Sequence, residues 1–176
     1  KIYQILLKNH FQSIWIDLSN ALLFQDDNYG KYYGLKNILG SRIGSSNKSV
    51  GILFDGDIES IFRWCTSNMP LAPSRLAELT PIYGNENNQY STWHPIAKRL
   101  IDEFGNIEDV LRSLSSNMGS YSWSGSLVPL LEARQELFRS IETHKIELVS
   151  EWATKYLTYT AEEIKREKNK DEERFL

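Results

Sequence analysis

The sequence contains a single cysteine, Cys65. It can therefore form no intramolecular disulfide and no cysteine-rich zinc site, and a reducing cytoplasm is the expected location. No apolar run is long enough to cross a bilayer and no secretory signal is read, so a membrane partner is not expected. The formal net charge is only -3 and the pI is about 5.7, which gives no overall pull toward nucleic acid or an anionic surface. G-x-x-x-x-G-K-[ST], G-x-G-x-x-G and H-E-x-x-H are all missing, so no cofactor and no metal is expected. Asp55, Asp57 and Glu59 lack the glycine and distal glutamate of a calcium loop.

What is present is a chain of 176 residues, 41% hydrophobic and 24% charged, the composition of one globular domain able to bury roughly 70% of its unfolded surface. It opens KIYQILLKNHFQSIWIDLSNALLF, helix-like from its first residue, and this reads as a piece of something longer. Ile2, Ile5 and Leu6, then Ile14, Trp15, Leu18 and Leu22, form an apolar face at helical spacing.

Two strings match without gaps: DIESIFRWCTSNMP from Asp57 and NIEDVLRSLSSNMG from Asn106, offset by 49 residues. A weaker third, IELVSEWAT, starts at Ile146, another 39 residues from its counterpart. Ile58, Ile61, Phe62 and Cys65 fall at i, i+3, i+4 and i+7, as do Ile107, Val110, Leu111 and Leu114, so both stripes are predicted to be helical core. Asp57 and Asn106 are the expected N-caps. Repeats near this length predict stacked helix pairs, since one pair cannot bury its apolar face alone.

Pro73 and Pro95 mark first turns of partner helices, and Gly105 a C-terminal stop. Ser126 is placed to cap a helix whose stripe is Leu127, Leu130, Leu131, Arg134, Leu137, Phe138 and Ile141. A last helix is predicted from about Lys145, ending in EEIKREKNKDEER, a solvated tail of mixed charge. Three long connections, FQDDNYGKYYG, GSRIGSSNKSVG and YGNENNQYST, interrupt the helices. VGILF, Val50 to Phe54, is read as the entry to a helix rather than a strand. The expected fold is all-α, an irregular helical repeat or α-solenoid with long loops.

The loop SNMGSYSWSGS, Ser116 to Ser126, is the one candidate for serine chemistry. It fails as a nucleophile elbow, because G-x-S-x-G centred on it would put Trp123 or Tyr121 in the serine position. His94 and His144 could serve as bases, but their places at helix starts favour capping. Ser45 to Lys48 formally matches S-x-x-K without its companion motifs. Ordering the seven residues from Gly119 to Gly125 costs about 7 to 14 kcal/mol of backbone entropy, and burying one tryptophan returns only about 4 to 6 kcal/mol. Trp123 cannot hold this loop alone, so Tyr121 is expected to dock with it. Tyr121, Ser122, Trp123 and Ser124, with Trp93 and His94, are therefore the candidate interaction or corner residues. Trp15, Trp64 and Trp152 are read as core.

LFDGDIESIFRWC, PLAPSRLA, WHPIAKRLIDEFG, SSNMGSYSWSGSLVP and the EWA of the last helix resemble the C-terminal HEAT-like helical regions of large bacterial multidomain proteins, including defence NTPases of the STAND type. The likeness covers about Leu53 to Glu173. It implies residues 1–52 as an N-terminal helical unit with long loops and 53–176 as HEAT-like repeats, together one continuous domain of a longer chain. It also implies a non-enzymatic sensor or scaffold part, whose partner is a protein, a phage component or another domain of the same chain. Two alternatives belong to other classes: a small serine hydrolase using the 116–126 loop, and a nucleic-acid adaptor using Lys165, Arg166, Lys168 and Lys170. The adaptor is disfavoured because acidic residues alternate with these cations.

Overall fold

The computed structural model describes residues 2–23, 34–36, 38–39, 52–84, 92–118 and 125–174. Among them the fold is all-α: α1 (Ile2–Leu23), a 3₁₀ turn (Ile52–Asp55), α2 (Ile58–Ser67), α3 (Leu71–Leu79), α4 (Pro95–Phe104), α5 (Glu108–Ser116), α6 (Val128–Arg139) and α7 (Glu147–Arg174). The only ladder pairing among the described residues is an antiparallel bridge between Tyr83 and Trp93. The described part of VGILF is the 3₁₀ turn that leads into α2.

Short connections join α2 to α3, α4 to α5 and α6 to α7, so the helices form three consecutive pairs. Each pair meets the next: α3 packs on α4 and α5, and α5 on α7. The pairs begin at Ile58, Pro95 and Val128, a shorter step than the 49-residue offset of the matched strings. The first string is consequently the leading helix of its pair, and the second is the trailing helix of the next. Both are helical with the expected buried stripes, Ile61, Phe62 and Cys65 in one and Val110, Leu111 and Leu114 in the other. Their positions in the pair are not equivalent.

The start of α2 follows from Asp57, whose Oδ1 accepts from the backbone N–H groups of Glu59 and Ser60 at 3.1 and 3.2 Å. Its Oδ2 accepts from Gln12 Nε2 at 3.0 Å, which seats α1 on the same cap. Asn106 does not play the matching role. The Ile107 N–H is given to the Phe104 carbonyl at 3.0 Å and Ile107 packs against the core, so the tight α4–α5 turn moves the N-cap one residue on. Glu108 and Asp109 in the first turn complement the helix dipole there instead.

Ends of helices are where the two matched strings diverge most. Asn68 Nδ2 donates to the Trp64 carbonyl of its own helix at 2.9 Å. Its counterpart Asn117 reaches across to α3, donating to the carbonyls of Ala77 at 2.9 Å and Thr80 at 2.8 Å. One amide type solves the same problem, the unpaired carbonyls of a helix C-terminus, once locally and once between pairs.

α1 is interrupted at His10, whose φ of -134° and ψ of 29° are non-helical. Just before it, Asn9 Nδ2 donates to the Ile5 carbonyl at 3.0 Å and closes the first segment. Leu7, Phe11, Trp15 and Leu22 enter the same core as α2 to α5, so no break in the core falls at residue 52. Trp15 stacks on Phe11 at 5.2 Å and meets the edge of Trp64 at 5.4 Å. At Gly56 a Cβ would lie 2.4 Å from the Phe11 ring, so only glycine lets α1 approach.

The stripe on α6 is buried as its spacing requires except for half-buried Leu130, and it includes Arg134 at 3% exposure. The Arg134 guanidinium lies over the Tyr83 ring at 4.6 Å. Ser126 Oγ accepts from the Val128 N–H at 3.2 Å from one position before the N-cap Leu127. Phe138 is fully buried beneath Trp93, Trp152 and Tyr156, with ring centroids 5.1, 4.9 and 3.7 Å away. Among the described residues, Leu127, Val128 and Leu131 at the start of α6 form with Ile164 of α7 a small core apart from the large one.

Candidate functional site

Tyr121, Ser122, Trp123 and Ser124 lie outside the described residues. The other two candidates are placed by the Tyr83–Trp93 bridge, in which the His94 N–H donates to the Ile82 carbonyl at 3.0 Å. Trp93 is half-buried and its indole N–H donates to Ser140 Oγ at 3.3 Å. His94 is buried, and its Nδ1 accepts from the Ile96 N–H at 3.3 Å, capping α4 ahead of Pro95. Burial pulls its pKa down to about 4, so the ring is neutral near pH 7.

His144 makes the same turn. Its Nδ1 accepts from the Ile146 N–H at 3.2 Å, and its Nε2 lies 3.1 Å from Asp102 Oδ1. With Nδ1 accepting from the Ile146 N–H, Nε2 is the ring nitrogen that carries a hydrogen and donates it to Asp102. Lys98 Nζ completes the cluster, bonding both Asp102 oxygens at 2.5 and 2.7 Å. Both ring nitrogens of His144 are thereby engaged.

Cys65 is fully buried between α2 and its neighbours, and burial pushes its thiol up to about 12. It packs as a small apolar side chain. Arg99 ties α4 to α2, with Nη1 and Nη2 on the two Glu59 oxygens at 2.5 and 3.0 Å and the guanidinium 3.9 Å above the Phe62 ring. That bidentate bond holds the Glu59 carboxyl below its usual range, and the Ser60 hydroxyl does the same for Asp57. Among the C-terminal cations, Lys168 pairs with Glu132 at 3.0 Å and Lys170 with Glu167 at 2.6 Å. Among the described residues no group of His, Cys, Asp and Glu is placed to hold a metal, and no helix is long and apolar enough to cross a membrane.

The feature that sequence reasoning missed is a cleft of about 420 Å³ between α3 and α5. One wall is Leu71, Ser74, Arg75 and Glu78; the other is Asp109, Arg112, Ser113 and Ser116. Each set falls at i, i+3, i+4 and i+7, one face of a helix. Lys36 and Asn117 complete the lining, both beside the C-terminal end of α3, where Lys36 bonds Glu78 and Asn117 bonds the Ala77 and Thr80 carbonyls. Glu78 is bonded by Arg75 Nη1 at 2.8 Å and Lys36 Nζ at 3.1 Å, and Asp109 pairs with Arg112 on its own helix. In sequence these residues look like the ordinary solvated faces of two short helices. The packing of successive pairs brings them together.

Comparison with known protein families, known proteins and solved structures finds no match to this chain.

Proposed function

We propose that this segment is a non-enzymatic protein-recognition module, built from stacked HEAT-like helix pairs and working as the sensor or scaffold part of a larger bacterial protein. The observation that carries this reading is the α3/α5 cleft, where polar faces of consecutive pairs are set side by side to receive a partner segment. Helix pairs that cover one another's apolar faces leave such seams on the surface, and repeat proteins use these extended surfaces for binding. The partner class implied by the resemblance, a phage-derived component, belongs to the same proposal.

The hydrolase alternative is weakened by the histidines. A base for serine needs one ring nitrogen for the hydroxyl and the other for an orienting group. His144 has both committed, and His94 is buried with Nδ1 on a backbone N–H.

Capture from cells with the native chain and with Ser113→Trp, which fills the cleft, tests the proposal once circular dichroism shows both are equally helical. Proteins retained by the native chain and lost with the variant are expected. Equal recovery by both, or ester hydrolysis that disappears in His144→Ala, would overturn it.

A further inference from the structure

The α3/α5 cleft has a chemistry that narrows what it can hold. Three cations, Lys36, Arg75 and Arg112, line it against two carboxylates, Glu78 and Asp109. Between them stand the hydroxyls of Ser74, Ser113 and Ser116. Each wall repeats one arrangement, an arginine held by a carboxylate three residues away on the same helix. The cations are thus positioned before any ligand arrives, which reduces the entropy lost on binding.

The three differ in exposure: the Arg75 side chain is 11% exposed, that of Lys36 31% and that of Arg112 68%. One guanidinium therefore lies at the floor and one at the rim. The Lys36 ammonium has three N–H donors and the exposed Arg112 guanidinium five, so their ion pairs with Glu78 and Asp109 do not exhaust them. The chain as a whole carries -3, yet the screening length at physiological ionic strength is about 8 Å. The charges nearest the cleft therefore weigh most on a ligand in it, these five together with Glu108, which stands beside Asp109 and one turn before Arg112.

We propose that the α3/α5 cleft is an anion-recognition site that takes a phosphate monoester or carboxylate side chain of the partner polypeptide. It rests on the protein-recognition reading above. Arginine forks match the geometry of both anions, serine hydroxyls supply additional donors, and a volume of about 420 Å³ admits one side chain with its flanking backbone. Arg112, the most exposed of the cations, makes the first contact.

Two-dimensional NMR of the whole chain tests this. The probes are inorganic phosphate and three capped peptides that differ only at a central phosphoserine, glutamate or serine. The phosphoserine or glutamate peptide is expected to shift the amides of Ser113, Ser116 and Asn117 and the Nε–H of Arg112, and the serine peptide to leave them in place. Shifts with phosphoserine alone assign the site to phosphate esters, and shifts with both acids assign it to anionic side chains at large. Arg112→Gln is expected to weaken binding by about tenfold, as loss of one charge-assisted hydrogen bond does. Ser113→Glu, which leaves every cation in place, weakens it by repulsion.

No shifts at these residues, equal shifts with the serine peptide, or binding unchanged in both variants would overturn the proposal. So would shifts with inorganic phosphate and none of the peptides, the signature of an adventitious ion only. If the cleft ignores anions while Ser113→Trp still loses its captured partner, the anion reading falls and protein recognition stands. If that loss is absent too, both fall.

Discussion

The indole N–H of Trp152 donates to Ser115 Oγ across 2.9 Å, fastening α7 to α5. Ser115 in turn gives its own hydrogen to the Leu111 carbonyl at 2.8 Å, so its oxygen is oriented to accept. Ser115→Ala leaves a half-buried indole donor unmatched and is expected to destabilise the chain by about 1 to 3 kcal/mol. Denaturant unfolding followed by tryptophan fluorescence reads this directly, and an unchanged midpoint would show that the bond is replaced by water.

Asn117 and Asn68 offer a matched comparison. Replacing Asn117 by Ala strips α3 of a cap from outside its pair and removes two good hydrogen bonds, an expected loss of about 1 to 3 kcal/mol. Asn68→Ala removes one local bond and is expected to cost about 0.5 to 1.5 kcal/mol. Equal losses at the two sites would mean that Asn117 does no more than finish its own helix.

Gly105 ends α4 against α7, and a Cβ there would lie 2.4 Å from both the Ile101 carbonyl oxygen and Val149 Cγ2. Gly105→Ala is therefore expected to destabilise by about 1 to 3 kcal/mol through overpacking. Gly125 is a contrasting control, because its φ of 84° strains any larger residue while none of the described residues lies within 4 Å of the added carbon. Gly125→Ala is expected to cost about 1 kcal/mol, from backbone conformation alone. Thermal melts of the two variants separate crowding from dihedral strain.

His94 makes stability depend on pH. Its folded pKa of about 4 lies below the ordinary value of 6.5, so the unfolded chain binds the proton first. The stability it contributes is complete above pH 6.5 and falls as pH drops toward 4, by up to about 1.4 kcal/mol for each pH unit. Asp57 and Glu59, whose pKa values are lowered from 3.8 and 4.5, lose their contribution further down as pH falls through their folded values. His94→Asn keeps an acceptor for the Ile96 N–H and removes the titration. Urea melts between pH 4.5 and 6.5 should be flatter in the variant; an identical slope would place the proton elsewhere.

The helices themselves were legible because their burial follows period. Ile61, Phe62 and Cys65, like Val110, Leu111 and Leu114, are core on spacing alone, and Asp57 is a cap on chemistry alone. The match between the two strings was also real, yet it reflects two helices with the same local needs rather than the same place in a pair. Nothing in S-N-M tells Asn68 to turn inward and Asn117 to cross to α3; the neighbouring helix end decides. The cleft was illegible for the same reason. Arg75 and Arg112 read as solvent-facing charges until α3 and α5 are laid side by side.

The 28 residues of α7 run along both cores, the large one through Val149 and Ala153 and the small one through Ile164. At 1.5 Å per residue it extends about 42 Å, where the 12-residue α6 covers about 18 Å. Because the two apolar clusters are separate among the described residues, loss of the small one need not breach the large one, and opening can proceed in two cooperative steps from one continuous helix. The amides beyond Thr160 would then exchange with solvent before those around Val149, so the chain would shed its outer end while the Trp152 anchor holds.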